Sequence, residues 1–348
     1  MNREWLIENA NCPIKHILGF DCDFTENEQV KYWLGALSDR VLCKDLSNIH
    51  GSHDYRYENI IGKCFILGLD SSVPQFDMLI RYFLDFLDKH IEQDHGETLT
   101  FGKMYAYRDC ETILACYLPF LGYAHEKSVQ YVAKKRADII YDFTKQGRYD
   151  VYRNDIRYVG VQKGWRDYIL DPDMYADGNI ALPSIYDLIL FAGIYPTIDA
   201  ETQRKIDVTI GWIFGEGYSQ IHRRFYYYAP DDPRYKAKAI DGKVHLHTFD
   251  GGDEHIQSLL FKCFIFSHFD IARESQWYNS AINYLDNYRT ADGRYVFPRE
   301  MTAEKRDISV TSGGHMNVGE NKRSRGYAEI ISTYWMERIL SNGKNCKL

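Results

Sequence analysis

The sequence predicts an all-α fold in which apolar helices alternate with amphipathic ones. Glu58–Leu67 reads ENIIGKCFIL, and Gln257–Phe266 reads QSLLFKCFIF. An internal repeat of this kind indicates that one structural unit is used several times. Each apolar stretch is followed by a segment whose apolar residues recur every three or four positions, which is typical of a helix with one face in water.

The first helices are predicted before and around the first copy of the repeat. Asn2–Leu18 predicts a short helix interrupted at Pro13, and Glu26–Leu46 predicts an amphipathic helix. The apolar stripe of that second helix contains Val30, Trp33, Leu34, Leu37, Val41 and Leu42. Asp54–Leu69 is the first apolar helix, and the next helix, Gln75–His90, follows Pro74. Proline near the start of a helix is expected, because its missing N–H has no partner within the helix there.

The unit recurs in the rest of the chain. Later pairs of apolar and amphipathic helices are predicted at Arg108–Gly122 with Lys127–Gln146, Pro183–Tyr195 with Glu201–Gly215, and Asp253–Asp270 with Arg273–Arg289; a last apolar helix is Arg325–Leu340. The basic run Lys134–Arg136 is predicted to lie on a solvated helix face.

Apolar helices need cover on all sides, whereas amphipathic helices need it on one. Two concentric layers satisfy both, so we expect a single domain, residues 1–348, with about five to six inner/outer helix pairs in an (α/α) toroid. Three long segments, Arg148–Leu182, Tyr218–Gly252 and Thr290–Arg323, are expected to gather at one end of the ring. Loops of this length are usually functional or disordered, so they suggest a binding site.

The composition of the chain argues against several classes of function. The net charge is −7 and no basic block stands out, so nucleic-acid binding has little support. No stretch of 18 apolar residues predicts a membrane span, and Met1–Asn11 lacks the apolar segment of a signal peptide. The eight cysteines form no Cys-x-x-Cys pair, which favours free thiols in the cytoplasm. The 28 tyrosines indicate either dense packing or a cavity for flat or sugar-like ligands.

The predicted starts of the inner helices carry tyrosine, acidic residues or arginine. In a ring these starts converge on one mouth of the central cavity, where a small-molecule or glycan ligand would bind. The expected substrate-binding residues are Tyr57, Glu58, Tyr107, Arg108, Tyr186, Asp187, Arg325 and Tyr327. For any one of them the alternative is a structural role, since acidic residues in a first turn cap helices.

The densest cluster of titratable residues lies before the second copy of the repeat. It runs from His245 and His247 through Asp250 to Asp253 and His255. We expect acid–base catalysis here, by Asp253 or His255. A divalent metal held by His245, His247, Asp250 and His255 is the alternative, although no spacing fixes a complete ligand set.

Three further segments carry candidate groups. Asp173 lies in an acidic turn, Asp171–Gly178, before an inner helix, and Asp109 lies at the start of another; both are candidate catalytic acids. The glycine-rich segment Ser312–Arg325 lacks the spacing of known phosphate loops, so it is a weak candidate for phosphate binding.

A resemblance to a known family is carried by the alternating helices, the turn Gly293-Arg294-Tyr295, and the segments Trp5–Lys15 and Leu67–Asp70. Together these features resemble the α/α-toroid proteins of the terpenoid cyclase and protein prenyltransferase superfamily. The resemblance lies in the fold. The Gln-x-x-x-Gly-x-Trp repeat and the Asp-x-Cys zinc set are absent, and Asp171–Met174 matches the Asp-x-Asp-Asp acid motif only in part.

The resemblance implies an enzyme with a tyrosine- and acid-lined cavity that acts on an isoprenoid-type substrate, with Asp173 or Asp253 as the acid. The same fold also serves sugar-active enzymes, so a glycan hydrolase or lyase that uses carboxylate, histidine and tyrosine groups at the cavity mouth is the second hypothesis. A toroid that binds a ligand or partner without catalysis is the third.

Overall fold

The computed structural model describes residues 2–43, 49–51, 56–92, 110–175, 180–232, 234, 236–240, 243–249, 256–305 and 307–342. Of these residues 59% are helical and 4% lie in strands, which confirms the all-α class. The α-helices are α1 Asn2–Asn9, α2 Cys12–Ile17, α3 Glu28–Leu42, α4 Tyr57–Ile66, α5 Pro74–Glu92, α6 Cys110–Ala115, α7 Lys127–Thr144, α8 Ile185–Ile194, α9 Ala200–Ile213, α10 Leu259–Phe266, α11 Asp270–Arg273, α12 Gln276–Asp286 and α13 Tyr327–Asn342.

Short 3-10 helices and one hairpin connect the α-helices. The 3-10 helices are Phe24–Glu26, Leu118–Leu121, Lys163–Tyr168, Pro172–Met174, Glu216–Gln220, Ile256–Ser258, Arg299–Thr302 and Val310–Ser312. Strands β1, Phe225–Tyr228, and β2, Ala237–Ile240, pair antiparallel, with Phe225 opposite Ile240.

The two copies of the repeat form the helices that are buried along their whole length. Every residue of α4 and of α10 is buried, and α8 is buried except at Ile185 and Gly193. These helices were predicted as the apolar ones, and their burial confirms the prediction. Cys64 and Cys263 occupy equivalent positions in the two copies and are buried free thiols.

The amphipathic helices bury one stripe each. In α5 the buried residues are those that the periodicity predicts: Phe76, Leu79, Ile80, Phe83, Leu84 and Leu87. In α3 the stripe is buried from Val30 to Leu37, and Val41 is half-buried. The prediction for Leu42 was wrong, because it is the last residue of α3 and its side chain is 76% exposed.

Two prolines shape helix ends in ways that the pattern did not resolve. Pro13 does not simply break a helix: it lies in the first turn of α2, which Asn11 caps by accepting a hydrogen bond from the N–H of Ile14. Pro119 lies where the second apolar helix was expected to continue. Proline cannot donate to the helical ladder, and α6 gives way to a 3-10 turn there.

The buried helices touch one another in chain order. Helix α4 packs on α6, α6 on α8, α8 on α10, and α10 on α13. The one-sided helices also pack in chain order, with α5 on α7, α7 on α9, and α9 on α11. At the start of the chain, α1 packs on α13, and α3 packs on both α4 and α5.

Aromatic side chains meet where the buried helices end. The ring of Phe65, from α4, lies 5.7 Å from that of Phe264, from α10. Phe120 lies 4.9 Å from Phe65 and 5.9 Å from Phe264. The guanidinium of Arg338, from α13, stacks 4.9 Å from the centre of the Phe264 ring. These rings fill the space between the C-terminal ends of α4, α10 and α13.

The described residues of the three long segments pack on other parts of the chain. The first two pack together, because Ile169 bridges to Tyr226 in β1 and a small second core contains Tyr158, Val161, Ile169, Tyr226 and Ala237. The third packs along α4: the N–H of Val310 donates to the side chain of Asn59, and Lys63 donates to the carbonyl of Asn317.

Candidate functional site

Five of the twelve residues expected at the site lie outside the described residues. They are Tyr107, Arg108, Asp109, Asp253 and His255. Their roles stay predictions, and the seven others can be placed.

Glu58 and Tyr186 come together, and His50 joins them. The hydroxyl of Tyr186 donates to Oε2 of Glu58 at 2.5 Å. Nδ1 of His50 lies 2.9 Å from the same oxygen and 3.1 Å from the Tyr186 hydroxyl. The other carboxylate oxygen of Glu58 accepts the N–H of Gly51 at 2.8 Å. We call His50, Glu58 and Tyr186 the histidine cluster.

The local fold explains why these side chains meet. Glu58 is in the first turn of α4, Tyr186 is in the first turn of α8, and His50 lies in the segment that leads into α4. Asn59 ties that segment down, because its side-chain amide donates to the carbonyl of Gly51 at 2.8 Å. The starts of α4 and α8, two of the predicted inner helices, therefore lie in contact.

The three side chains of the histidine cluster differ in how much of their surface is exposed. Glu58 and Tyr186 are each 2% exposed, whereas the side chain of His50 is 24% exposed. A buried carboxylate beside Nδ1 fixes the orientation of the imidazole and stabilises its protonated form. His50 is therefore the member that can exchange a proton with a bound molecule.

Asp187, the neighbour of Tyr186, has a structural role. Its carboxylate accepts from Nε of Arg136 at 2.7 Å and from Nη2 at 3.1 Å. It also forms a capping box with Ser184 at the start of α8. Arg136 is 2% exposed, so the prediction that Lys134–Arg136 forms a solvated face was wrong for this residue. Nothing in the sequence of α7 signals a partner on α8.

The other candidate residues that the structure describes are not part of the histidine cluster. Tyr57 is buried against Phe83, and its hydroxyl donates to the carbonyl of Leu114 at 3.0 Å. Asp173 is exposed in a 3-10 turn that Asp171 caps, and Arg325 is exposed before α13. Packing and capping account for Tyr57 and for the turn at Asp173.

A second polar cluster lies deeper along α4. Lys63 is fully buried, and its ammonium donates to Oε2 of Glu304 at 2.8 Å and to the carbonyls of His315 and Asn317. Nδ1 of His315 lies 3.2 Å from the other oxygen of Glu304. We call Lys63, Glu304 and His315 the lysine cluster.

Charge pairing holds the carboxylate of Glu304 ionised. Burial by itself raises the pKa of Glu304, but Lys63 and His315 outweigh it and lower that pKa to about 2. Burial lowers the pKa of Lys63, and Glu304 opposes this change. The three hydrogen bonds from its ammonium satisfy all three donors of the charged form.

A cavity of about 680 Å³ opens beside the lysine cluster. Its lining residues are Phe297, Arg299, Glu300, Thr302, Ala303, Glu304, Lys305, Lys322, Tyr327 and Ala328. Tyr327, an expected substrate-binding residue, thus borders a cavity. Its hydroxyl donates to the carbonyl of Thr302 at 3.3 Å, and burial, followed by the charge of Glu304, raises its pKa to about 12.

The expected metal ligands are described only in part, since Asp250 and His255 lie outside the described residues. His247 is buried, and its Nε2 lies 3.2 Å from the hydroxyl of Ser258, while its ring lies 4.9 Å from that of His245. Within the described part of the chain, no group of three or more His, Cys, Asp or Glu side chains is placed to hold a metal ion.

Sequence analysis missed three residues of these clusters. Lys63 did carry a signal, because a charged residue in the middle of an apolar helix needs a buried partner. His50 and Glu304 lie in segments without periodicity, where only the tertiary structure shows what they touch. His315 was noted as part of a glycine-rich segment, but it is buried rather than arranged to bind phosphate.

No protein-family model matches the chain, and comparisons with curated proteins and with solved structures find no match. Among the described helices, none has the length and apolar character needed to cross a membrane.

Proposed function

We propose that the helices form an (α/α) toroid and that residues 1–348 make up one domain. Two observations support this architecture. The fully buried helices pack on one another in chain order, and the one-sided helices also pack on one another in chain order. A ring of inner and outer helices produces this contact pattern.

Within this toroid, we infer an enzyme that uses His50 as its proton-transfer residue. The observation that carries the inference is the contact between Nδ1 of His50 and the buried carboxylate of Glu58. With a proton on Nδ1, the other nitrogen of the imidazole is the basic one, and it is the atom we propose as the base. Glu58 and Tyr186 are positioning residues, because both are buried and act through His50.

A glycan is a better substrate than an isoprenoid for this arrangement. An isoprenoid cyclase needs a deep cavity lined by aromatic rings, which stabilise carbocations. Here the rings of Phe65, Phe120 and Phe264 contact one another. The cavity at Tyr327, whose lining does not include the histidine cluster, carries charged side chains that suit a polar ligand.

The reaction that fits the histidine cluster is elimination rather than hydrolysis. A glycoside hydrolase uses two carboxyl groups that flank the scissile bond. Glu58 is buried and already accepts hydrogen bonds from the Tyr186 hydroxyl and the Gly51 N–H. A lyase acting on an acidic glycan needs one base instead.

The proposed step balances without a further reactant. His50 takes the proton from the carbon next to the sugar carboxylate. The electron pair of that C–H bond forms a C=C bond as the glycosidic C–O bond breaks. The departing oxygen takes a proton from water, and His50 returns its own proton to water.

We propose a cytoplasmic location, which is supported by the free, buried thiols of Cys64, Cys116 and Cys263. The expected ligand is a glycan bound at the mouth of the toroid.

The test is a screen of acidic polysaccharides, with neutral polysaccharides as controls, read by the ultraviolet absorbance of the unsaturated sugar. His50→Ala is expected to lower kcat at least about 100-fold, in the range of general-base removal. Tyr186→Phe is expected to shift the pH profile and lower kcat by less. His125→Ala, an exposed histidine outside both clusters, is the matched control and leaves the rate unchanged.

Three outcomes would contradict the proposal. Saturated products would indicate a hydrolase, and turnover of a prenyl diphosphate would favour the isoprenoid hypothesis. Binding of a polysaccharide without any product would leave a toroid that binds without catalysis.

A further inference from the structure

The cavity beside the lysine cluster carries more positive than negative charge. Its lining includes three cations, Arg299, Lys305 and Lys322, and two carboxylates, Glu300 and Glu304. Lys63 is in direct contact with Glu304 and neutralises it. The remaining lining charges therefore favour an anion.

The three cations are available to a ligand. Within the described residues, none of Arg299, Lys305 and Lys322 has a side-chain hydrogen-bond or ion-pair partner. All three are exposed at the cavity rim. Unpaired cations around a concave surface raise the local concentration of anions.

The wall of the cavity is fixed by the lysine cluster. Glu304 is held by the ammonium of Lys63, by Nδ1 of His315 and by the N–H of Asn317 at 3.2 Å. His315 is fully buried, and within the described part of the chain its Nε2 has no hydrogen-bond partner. Three hydrogen bonds therefore fix the position of the Glu304 carboxylate, which borders the cavity.

The size and the aromatic groups of the cavity indicate the kind of ligand. About 680 Å³ lies within the usual range for small-molecule sites, roughly 300–1,000 Å³. Tyr327, which is half-buried, supplies ring surface on which a sugar can stack. We propose that this cavity binds a sugar carrying a carboxylate or phosphate group, through Arg299, Lys305 and Lys322. The proposal rests on the cavity alone and does not depend on catalysis by His50.

The experiment measures binding of glucuronate, glucose 6-phosphate and inorganic phosphate to the full-length protein by isothermal titration calorimetry. We expect at least one of the two sugar probes to bind and added salt to weaken the binding. Replacing two cations at once, in Arg299→Ala/Lys322→Ala, is expected to weaken it at least tenfold. The control Lys127→Ala removes an exposed lysine of α7 that does not line the cavity, and it should leave the affinity unchanged.

The two sugar probes distinguish a ligand with a carboxylate from a ligand with a phosphate group. Binding of glucuronate alone identifies a sugar acid, and binding of glucose 6-phosphate alone identifies a sugar phosphate; both support the proposal. It is overturned if neither sugar binds at millimolar concentration, if inorganic phosphate binds as tightly as the sugars, or if the double variant binds as the wild type does. Because the replaced side chains are exposed, unchanged thermal unfolding of the variants would confirm that they fold.

Discussion

Tyr186 and Glu58 are 128 residues apart in the chain, and a hydrogen bond of 2.5 Å joins their side chains. The bond links the first turn of α8 to the first turn of α4. It brings two starts of buried helices to one place, and His50 lies beside both. The contact is therefore both a tie between helices and the support of the proposed proton-transfer residue.

The first prediction concerns the stability of this tie. Tyr186→Phe removes a buried hydrogen bond to a carboxylate and is expected to lower the free energy of unfolding by about 2 kcal/mol. Urea unfolding measures the change. Tyr117→Phe is the matched control, since the buried hydroxyl of Tyr117 has no partner within the described residues. Equal losses in the two variants would contradict the assigned role of the Tyr186 hydroxyl.

The second prediction concerns the buried pair of Arg136 and Asp187. Arg136→Met leaves the Asp187 carboxylate buried without its cation and is expected to cost about 3–5 kcal/mol of unfolding free energy. Lys134, on the same helix, pairs with Asp199 where both side chains are nearly half exposed. Lys134→Met is expected to cost less than about 1 kcal/mol. Similar costs for the two variants, measured by urea unfolding, would show that the Arg136 pair is not buried in solution.

The third prediction concerns acid unfolding. The pKa of Glu304 falls from its ordinary 4.5 to about 2 in the folded protein, so its ionised form stabilises the fold. This contribution, about 3 kcal/mol, is fully present above pH 4.5 and is lost as the pH falls through the folded pKa near 2. The stability advantage of the wild type over Glu304→Gln should therefore shrink between pH 4.5 and 2.

The control for this pH dependence is Glu300→Gln, which changes an exposed carboxylate of the same cavity. Because that side chain is exposed, its replacement should change the free energy of unfolding by no more than about 0.5 kcal/mol in urea titrations at stepped pH. A difference between the wild type and Glu304→Gln that stays constant from pH 4.5 to 2 would rule out ionic pairing with Lys63.

The fourth prediction compares two helical glycines. A Cβ on Gly62 would lie 2.9 Å from Cζ and from the hydroxyl of Tyr117, whose ring is buried and cannot move away freely. Gly62→Ala is expected to cost about 1–3 kcal/mol by overpacking. A Cβ on Gly35 in α3 meets no atom within 4 Å, so Gly35→Ala should gain roughly 1 kcal/mol from helix propensity. Thermal unfolding measures both, and a stabilised Gly62→Ala variant would contradict the close packing of α4 against Tyr117.

The spacing of apolar residues predicted which segments form helices and which faces they bury. It did not predict which side chains of other elements those helices contact. The stripe of α5 and the burial of α4 and α10 follow from spacing alone, because a helix repeats every 3.6 residues wherever it lies. Leu42 and Arg136 were placed wrongly, since exposure at a helix end and burial of a cation depend on neighbouring elements. Of the candidate site, Glu58 and Tyr186 could be proposed because both lie at predicted helix starts, but their direct contact could not.

The sequence by itself determined the all-α class, the repeat of buried helices and the faces that the amphipathic helices bury, because these depend on residues close together in the chain. Only the tertiary structure decided that His50 meets Glu58 and Tyr186, that Lys63 pairs with Glu304 across 241 residues, and that a charged cavity opens beside that pair. The physical reason is that each buried charge requires a partner, and any of many polar residues distant in the chain can supply one. The packing of the helices selects which of them comes within hydrogen-bond distance.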